Sequence, residues 1–250
     1  MSSSWLNSCA ETGRQLGRGI LHLIYPACCH FCGRSLTADG PFCDSCRDGL
    51  FTDPFAACPR CAATVGPFAV LDGRCSHCRE EAFSFDAALR LGSYDGLLRE
   101  AVLRMKHHAG EGMAELFGEE WAEQARSAFH TLGVDALVPV PLHWRRRWRR
   151  GYNQSEAVAH GLAARLRLPC QPSWLRRTRA TPMQPSLTLA ERRENVRGAF
   201  AATLSLRGRT LLLVDDVMTT GATASEAARA LRTAGADRIV VAVLSRAHGT

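Results

Sequence analysis

One segment near the carboxyl terminus combines acidic, hydroxyl and glycine residues in an order that suits a phosphorylated ligand. Residues 211–214 form a short apolar run, which is typical of a buried parallel strand. Asp215 and Asp216 follow this run, and small residues then lead into a predicted helix. This phosphate loop consists of Thr219, Thr220, Gly221, Ala222 and Thr223. Because a helix start offers unpaired amides and a positive dipole end, we predict that the loop binds a phosphate dianion.

The acidic pair before the loop needs a different partner, because carboxylates repel a phosphate. Asp215 and Asp216 are expected to face ribose hydroxyls, a cation, or both. Their place at the carboxyl end of a strand is where open α/β sheets bind ligands. The alternative is an ordinary strand–turn–helix with exposed acids, which leaves the combination of motifs unexplained.

Four C-x2-C pairs indicate metal binding in the amino-terminal third of the chain. The paired residues are Cys29, Cys32, Cys43, Cys46, Cys58, Cys61, Cys75 and Cys78. Two such pairs supply the four thiolates that tetrahedral Zn(II) prefers. A site made of four thiolates has no open position, so we predict two structural zinc ions, which should supply much of the folding energy of this region.

The pairing of these cysteines has more than one solution. Pairs consecutive in sequence can share an ion, or the first pair can join the third in a cross-braced arrangement. Cys28 could also replace Cys29 as a ligand, while His30 and His77 are expected to be bystanders. A disulfide framework is disfavoured, because the apolar stretch 19–26 is a poor secretory signal.

Basic residues are concentrated in one sector of the chain. Residues 139–198 contain 13 arginines against three glutamates, a balance of +10 in a chain whose net charge is +7. This predicts a polyanionic partner, whereas the alternative is a solvated basic surface. Lys106, outside the sector, is the only lysine in the sequence.

Within this sector, residues 144–152 interleave arginine with aromatic residues, as proteins that bind single-stranded nucleic acid do. Trp144 is a further stacking candidate. The alternative is a structural loop whose tryptophans pack on the helix layer. The predicted nucleic-acid contacts are Arg146, Arg147, Trp148, Arg149, Arg150 and Tyr152.

The hydrophobic pattern predicts the elements that position these residues. Strands are expected at 87–94, 135–141, 211–214 and 238–244, and helices at 97–105 and 113–129, with capping patterns starting further helices at 153–156 and 223–226. This alternation predicts an α/β fold with a parallel sheet and helices on both faces. The expected organisation is a helical segment at 1–27, a double zinc ribbon at 28–82 and the α/β domain at 85–250.

The sequence contains no apolar run near the ~20 residues needed to cross a bilayer, so we expect no membrane span and a cytoplasmic protein.

The run from Val214 to Thr223 resembles the phosphoribosyl-pyrophosphate signature of type I phosphoribosyltransferases. From Pro26 to Arg246 the chain resembles the ComF/GntX family, competence-type phosphoribosyltransferase-like proteins with an amino-terminal double zinc ribbon. Segments 138–142, 149–155 and 176–184 also fit that family.

The resemblance implies a type I phosphoribosyltransferase fold that binds phosphoribosyl pyrophosphate with Mg(II). The phosphate loop would take the 5-phosphate, while Asp215 and Asp216 would hold the ribose hydroxyls. Pro141 and Arg145 would belong to the pyrophosphate loop. Lys106 is a candidate for the pyrophosphate charge, and the alternative is an ordinary surface lysine. Residues 176–184, with Arg177 and Arg179 among the predicted substrate contacts, would form a lid.

The family is associated with DNA uptake and natural transformation, which implies single-stranded DNA and competence proteins as partners. Two classes of function therefore stay open. One is a Mg-dependent transferase, and the other is a non-catalytic accessory that binds single-stranded DNA and retains the fold.

Overall fold

The computed structural model describes most of the chain. The described residues are 27–36, 40–66, 69–71, 73–79, 81–181 and 189–247. The predicted helical segment 1–27 lies outside them apart from Ala27, and the predicted lid is described as far as Thr181. Contacts divide the chain into two compact units, 1–48 and 49–250. The domain bounds given above stay a prediction.

Within the described residues, the strands form one principal sheet and two short pairs. They are β1 (Val70–Leu71), β2 (Arg74–Cys75), β3 (Ala87–Ser93), β4 (Ala136–Pro139), β5 (Leu175–Arg177), β6 (Phe200–Ala202), β7 (Thr210–Met218) and β8 (Arg238–Arg246). The principal sheet has the order β3-β8-β7-β4 and is parallel throughout, while β1 pairs with β2 and β5 with β6 in antiparallel fashion. All four carboxyl ends of the principal sheet therefore lie at one edge.

Helices connect these strands. They are α1 (Asp44–Phe51), α2 (Ser76–Arg79), α3 (Gly96–Arg104), α4 (Glu111–Gln124), α5 (Arg126–Thr131), α6 (Trp144–Arg150), α7 (Gln154–Leu166), α8 (Leu189–Val196) and α9 (Ala222–Thr233). Short 3-10 turns occur at His108–Gly110 and Pro172–Trp174.

Helices cover both faces of the principal sheet. Leu211 and Leu213 of β7 share a core cluster with Leu231 of α9. Leu212 and Val214 point to the other face, because successive strand side chains alternate, and α7 packs there against β4 and β7. All four of these strand residues are fully buried, which explains why the strand is apolar without alternation. The predicted α/β fold with a parallel sheet is confirmed.

Close packing of two helices sets the position of α7. A Cβ at Gly161 of α7 would clash with the carbonyl oxygen of Glu115 in α4. The glycine therefore lets the two helix backbones approach directly. The amino-terminal end of α7 is held beside the sheet edge by the hydrogen bond from Ser155 to Asp215.

Two local predictions are wrong. The helix predicted at 113–129 is two helices, α4 and α5, because the backbone at Ala125 leaves helical geometry. The predicted caps also fail: the Asn153 side chain donates to the carbonyl of Val140 at 3.1 Å, and α9 is preceded by Gly221 instead of being capped by Thr223.

Among the residues that the structure describes, no helix combines the length and apolarity needed to cross a membrane.

Candidate functional site

The phosphate loop joins β7 to α9 through a left-handed glycine. Gly221 has φ of 81°, and a Cβ there would lie 2.8 Å from Cε1 of Phe83. Thr220 is buried, and its Oγ1 accepts from the amide of Ala222 at 3.2 Å. The loop thereby turns sharply into a helix whose first-turn amides lack intrahelical acceptors, which is a geometry that binds anions.

The acidic pair lies at the carboxyl end of β7, immediately before this loop. Asp215 Oδ1 accepts from Ser155 Oγ at 2.8 Å and from the amide of Asp216 at 2.9 Å. Burial and the neighbouring charge of Asp216 raise the pKa of Asp215 to about 7, even though the Ser155 hydrogen bond favours the ionised form. The two adjacent carboxylates therefore repel each other at this edge, and a bound cation would offset that repulsion.

Lys106 lies next to the acidic pair. Its Nζ is 4.0 Å from Oδ2 of Asp216, and both side chains are largely shielded from solvent, at 28% and 22% exposure. The backbone just before Lys106 is fixed, because Met105 O accepts from Gln154 Nε2 at 3.2 Å and from the Tyr152 hydroxyl. The structure thus brings the only lysine to the predicted site.

Tyr152 belongs to the core and not to the surface. Its side chain is 4% exposed, and burial raises its pKa to about 12. A ring in this position cannot stack on a base, so the prediction that Tyr152 contacts nucleic acid is wrong. The Tyr152 hydroxyl instead donates to the Met105 carbonyl and so fixes the backbone just before Lys106.

The basic segment after β4 is a short helix, α6, where the sequence suggested a loop. Trp144 and Trp148 lie one turn apart and are 65% and 85% exposed. The guanidinium of Arg145 lies 5.2 Å from the Trp144 ring centroid, and Arg149 is also exposed. Tryptophans that pack on the helix layer would be buried, so that alternative is wrong for this pair.

Two further arginines of α6 bond within the protein. Arg147 forms an ion pair with Glu156 at 2.9 Å, and Arg150 donates to Gln154 Oε1 at 2.8 Å. Arg147 still exposes more than half of its side chain, whereas Arg150 is only partly exposed.

Arg146 and Arg177 converge on Thr181. Arg146 Nη2 donates to the Thr181 carbonyl at 3.1 Å, and Arg177 Nη2 donates to the Thr181 hydroxyl. Burial lowers the pKa of Arg177, and the nearby Arg146 lowers it further, while the charge of Asp215 opposes both. Two partly buried cations are therefore held together at Thr181, and Arg177 also interacts with Asp215 of the acidic pair.

The remaining predicted substrate residues differ in their surroundings. Arg179 Nη2 donates to the carbonyls of Asn195 and Arg197, at 3.2 and 2.6 Å, near the end of α8. Pro141 is partly exposed just beyond β4, at the same sheet edge as Asp215. Pro141 therefore lies at the candidate site, whereas the Arg179 guanidinium is bound to backbone carbonyls near α8.

Eight of the cysteines that the structure describes form two clusters, each made of pairs consecutive in sequence. The first cysteine cluster is Cys29, Cys32, Cys43 and Cys46; the second cysteine cluster is Cys58, Cys61, Cys75 and Cys78. The sulfur atoms are thus grouped by sequential pairing and not by cross-bracing, and Cys29, not Cys28, lies in the first cluster. Neither cluster includes a histidine.

The sulfur positions suit a tetrahedral ion. Zinc–sulfur bonds of about 2.3 Å place tetrahedral thiolates about 3.8 Å apart. Cys32 and Cys43 have sulfurs 3.8 Å apart in the first cluster, and the closest approach across the second, from Cys61 to Cys75, is 3.6 Å. These separations are far longer than a disulfide bond, so both clusters can hold zinc.

Sequence reasoning missed two residues that support the site. The pattern at 153–156 predicts a helix cap, yet the Ser155 hydroxyl donates to Asp215, 60 positions away. Arg246 donates to the Thr219 carbonyl of the phosphate loop and also contacts His77. No local pattern marks these contacts, because each depends on how the sheet brings distant segments together.

Comparisons with known proteins agree with this geometry. Residues 153–250 match the phosphoribosyl transferase domain family. The chain is 30% identical to competence protein F of Haemophilus influenzae over 228 residues, which cover 88% of this chain and 96% of that protein. It is 30% identical to DNA utilization protein YhgH of Escherichia coli K12, over 90% of this chain and 99% of that protein. Competence protein ComFC of Bacillus subtilis is 28% identical, over 78% and 80%.

The matches to competence protein F and YhgH cover 88% and 90% of this chain, so they extend into both the cysteine-rich region and the α/β domain. They agree with the resemblance seen in the signature segment. The chain therefore belongs to the competence protein F family, and its carboxyl-terminal part is a phosphoribosyltransferase domain.

Proposed function

We propose that this protein binds phosphoribosyl pyrophosphate together with Mg(II) at the phosphate loop and acts in DNA uptake. The strongest support is the juxtaposition of Asp215, Asp216 and the phosphate loop at one sheet edge. These groups come from one contiguous segment of the chain. They match a sugar phosphate, whose phosphate would meet the loop while its hydroxyls meet the two carboxylates.

The 5-phosphate lies at the start of α9 in this proposal, where the amides and the helix dipole favour a dianion. Asp215 and Asp216 then face the ribose hydroxyls. The elevated pKa of Asp215 supports this assignment, since an unshared acidic pair is costly and hydroxyl donors or a cation lower that cost.

The acidic pair also supplies the hard oxygen ligands that Mg(II) prefers. When bound, the cation neutralises pyrophosphate charge. Lys106, Arg146 and Arg177 supply the remaining positive charge from the protein. Lys106 lies beside Asp216, Arg177 interacts with Asp215, and Arg146 is held next to Arg177 at Thr181. The carboxylates are also placed to offset positive charge that develops on the ribose as pyrophosphate departs.

A place in DNA uptake is supported by the relatives, because competence protein F and DNA utilization protein YhgH are similar to this chain over nearly their whole lengths.

Isothermal titration of the purified protein with phosphoribosyl pyrophosphate, with and without Mg(II), tests the binding. We expect Mg(II) to tighten binding in the wild type and to have no effect in the double variant Asp215→Asn, Asp216→Asn. Asp237→Asn, which alters an exposed acid outside the site, is the matched control. Equal affinity in the double variant and the wild type would remove the carboxylates from the proposal.

A second candidate function is the binding of single-stranded DNA along α6. It is favoured by the exposure of Trp144 and Trp148 beside the exposed guanidinium groups of Arg145, Arg147 and Arg149. Aromatic rings stack on bases while arginines neutralise phosphates, and neither requires a particular sequence.

Salt dependence tests this second candidate. If three arginines each neutralise one phosphate, log K should fall against log salt with a slope of about −2. Replacing Arg145, Arg147 and Arg149 with Ala should remove most of that slope, whereas Trp148→Ala should cost about 1–3 kcal/mol and leave the slope unchanged. Arg207→Ala, at an exposed site outside the basic sector, is the control for a mobility-shift series. Full slope in the triple variant would contradict DNA binding at α6.

A further inference from the structure

A buried arginine links the second cysteine cluster to the phosphate loop. Arg246, at the end of β8, is 3% exposed. Its Nη2 lies 2.9 Å from Nε2 of His77, and its Nη1 donates to the carbonyl oxygen of Thr219. His77 lies on α2 between Cys75 and Cys78, so two polar contacts lead from the cysteines to the loop backbone.

A second set of contacts runs in parallel through the segment that follows the cluster. The Phe83 ring lies against Gly221, and the Ser84 amide donates to Ser225 Oγ on the first turns of α9 at 3.0 Å. Phe83 therefore contacts the phosphate loop, and Ser84 contacts the start of the helix that follows the loop.

The other cysteine pair of the same cluster holds that supporting segment. Arg60 lies between Cys58 and Cys61, and its Nη2 donates to the Phe83 carbonyl at 2.9 Å while Nη1 donates to the Phe85 carbonyl. Its guanidinium also lies 5.3 Å from the Phe85 ring centroid. Each C-x2-C pair of the second cluster thus carries one side chain directed at a support of the loop.

We propose that the second cysteine cluster positions the phosphate loop, with His77 and Arg60 as positioning residues, so that metal loading at this cluster sets the order of the loop. A metal that joins four thiolates fixes both C-x2-C turns, and therefore fixes the starting points of both sets of contacts. The part of this inference that concerns ligand affinity rests on the proposed function, whereas the part that concerns loop order does not.

Amide hydrogen exchange measures the order of the loop without any ligand. The variants are His77→Ala, His77→Gln, which restores a polar group at that position, and His30→Ala, the matched change between the paired cysteines of the first cluster. Because a lost hydrogen bond shifts an opening equilibrium modestly, exchange of amides 219–225 should be about fivefold faster in His77→Ala. It should return towards wild type in His77→Gln and stay unchanged in His30→Ala. Amides 239–244 in the sheet interior are the reference.

Metal content of each variant is measured by elemental analysis. Faster exchange with both ions retained assigns the effect to the His77 side chain, and faster exchange with one ion lost assigns it to the cluster that carries His77. Exchange at 219–225 equal to wild type in His77→Ala would overturn the inference.

Chelation of the wild-type protein tests the metal directly. Removing the ions should speed exchange at 219–225 more than at 239–244, and adding Zn(II) back should reverse the change. Unaltered exchange at 219–225 after metal release would also overturn the inference.

Titration with phosphoribosyl pyrophosphate separates the two proposals. We expect about fivefold weaker binding in His77→Ala than in wild type and His30→Ala. If the wild type does not bind while the exchange difference is present, the proposed function fails and the positioning role stands. If the wild type binds and His77→Ala shows neither effect, the positioning role fails and the proposed function stands.

Discussion

Replacement of Asp215 by Asn should stabilise the protein while it weakens ligand binding. Asn keeps an oxygen that can accept from Ser155 and from the amide of Asp216, so the local hydrogen bonds survive. It removes the negative charge that burial and Asp216 make costly. The expected gain therefore comes from charge alone, and it must depend on pH.

The magnitude follows from the pKa of Asp215, which rises from 3.8 to about 7 on folding. The folded protein thus binds a proton that the unfolded chain has already lost, and the free energy of unfolding falls as pH rises from about 4 through 7. At 1.36 kcal/mol per pKa unit, the raised pKa of Asp215 lowers the free energy of unfolding by up to about 4 kcal/mol at pH 8, where the group is ionised, and by up to about 2 kcal/mol at pH 5.5, where the folded protein must bind a proton. Solvent screening at this partly exposed edge reduces both figures.

Urea unfolding of the wild type and Asp215→Asn across this pH range measures the effect. The advantage of the variant should grow by about 1–2 kcal/mol from pH 5.5 to pH 8, whereas the exposed-site control Asp237→Asn should show no such growth. A variant that is less stable than wild type at pH 8, or equally shifted at both pH values, would refute the electrostatic reasoning.

Elemental analysis of protein purified without added metal should find two zinc ions per chain, and a stoichiometry near one, or iron instead of zinc, would contradict the two-cluster assignment. Gly221→Ala should destabilise the protein by about 1–3 kcal/mol and weaken phosphoribosyl pyrophosphate binding at least tenfold, since both its φ and Phe83 oppose a Cβ. Gly208→Ala, also at positive φ but in open space, is the control, and intact binding in Gly221→Ala would contradict the loop geometry. Tyr152→Phe should cost about 1 kcal/mol in thermal unfolding, because the Met105 carbonyl loses a donor; unchanged stability would argue against that contact.

The parts of the fold that could be predicted from the sequence are those with a local signal. Strands β7 and β8 were predictable, because a parallel strand covered on both faces leaves an uninterrupted apolar run. The acidic pair and the phosphate loop were predictable as a site, since they are contiguous and follow such a strand. The cysteine clusters were predictable from spacing, although their pairing required the structure.

The remainder depends on contacts between distant segments. Helix α6 buries none of its residues, since its two tryptophans are exposed and its other residues are arginines, so hydrophobic periodicity does not reveal it. Tyr152 and Trp148 have similar sequence surroundings, yet one is buried and the other exposed. The direction of each arginine is equally hidden: Arg177 turns towards the acidic pair, while Arg179 turns to carbonyl groups near α8.

The most direct test of the central claim is a crystal structure of the protein with phosphoribosyl pyrophosphate and Mg(II). We expect the 5-phosphate at the amides of the phosphate loop, the ribose hydroxyls at Asp215 and Asp216, and the pyrophosphate towards Lys106, Arg146 and Arg177. Density for the ligand along α6, or a ribose turned away from the acidic pair, would contradict the account.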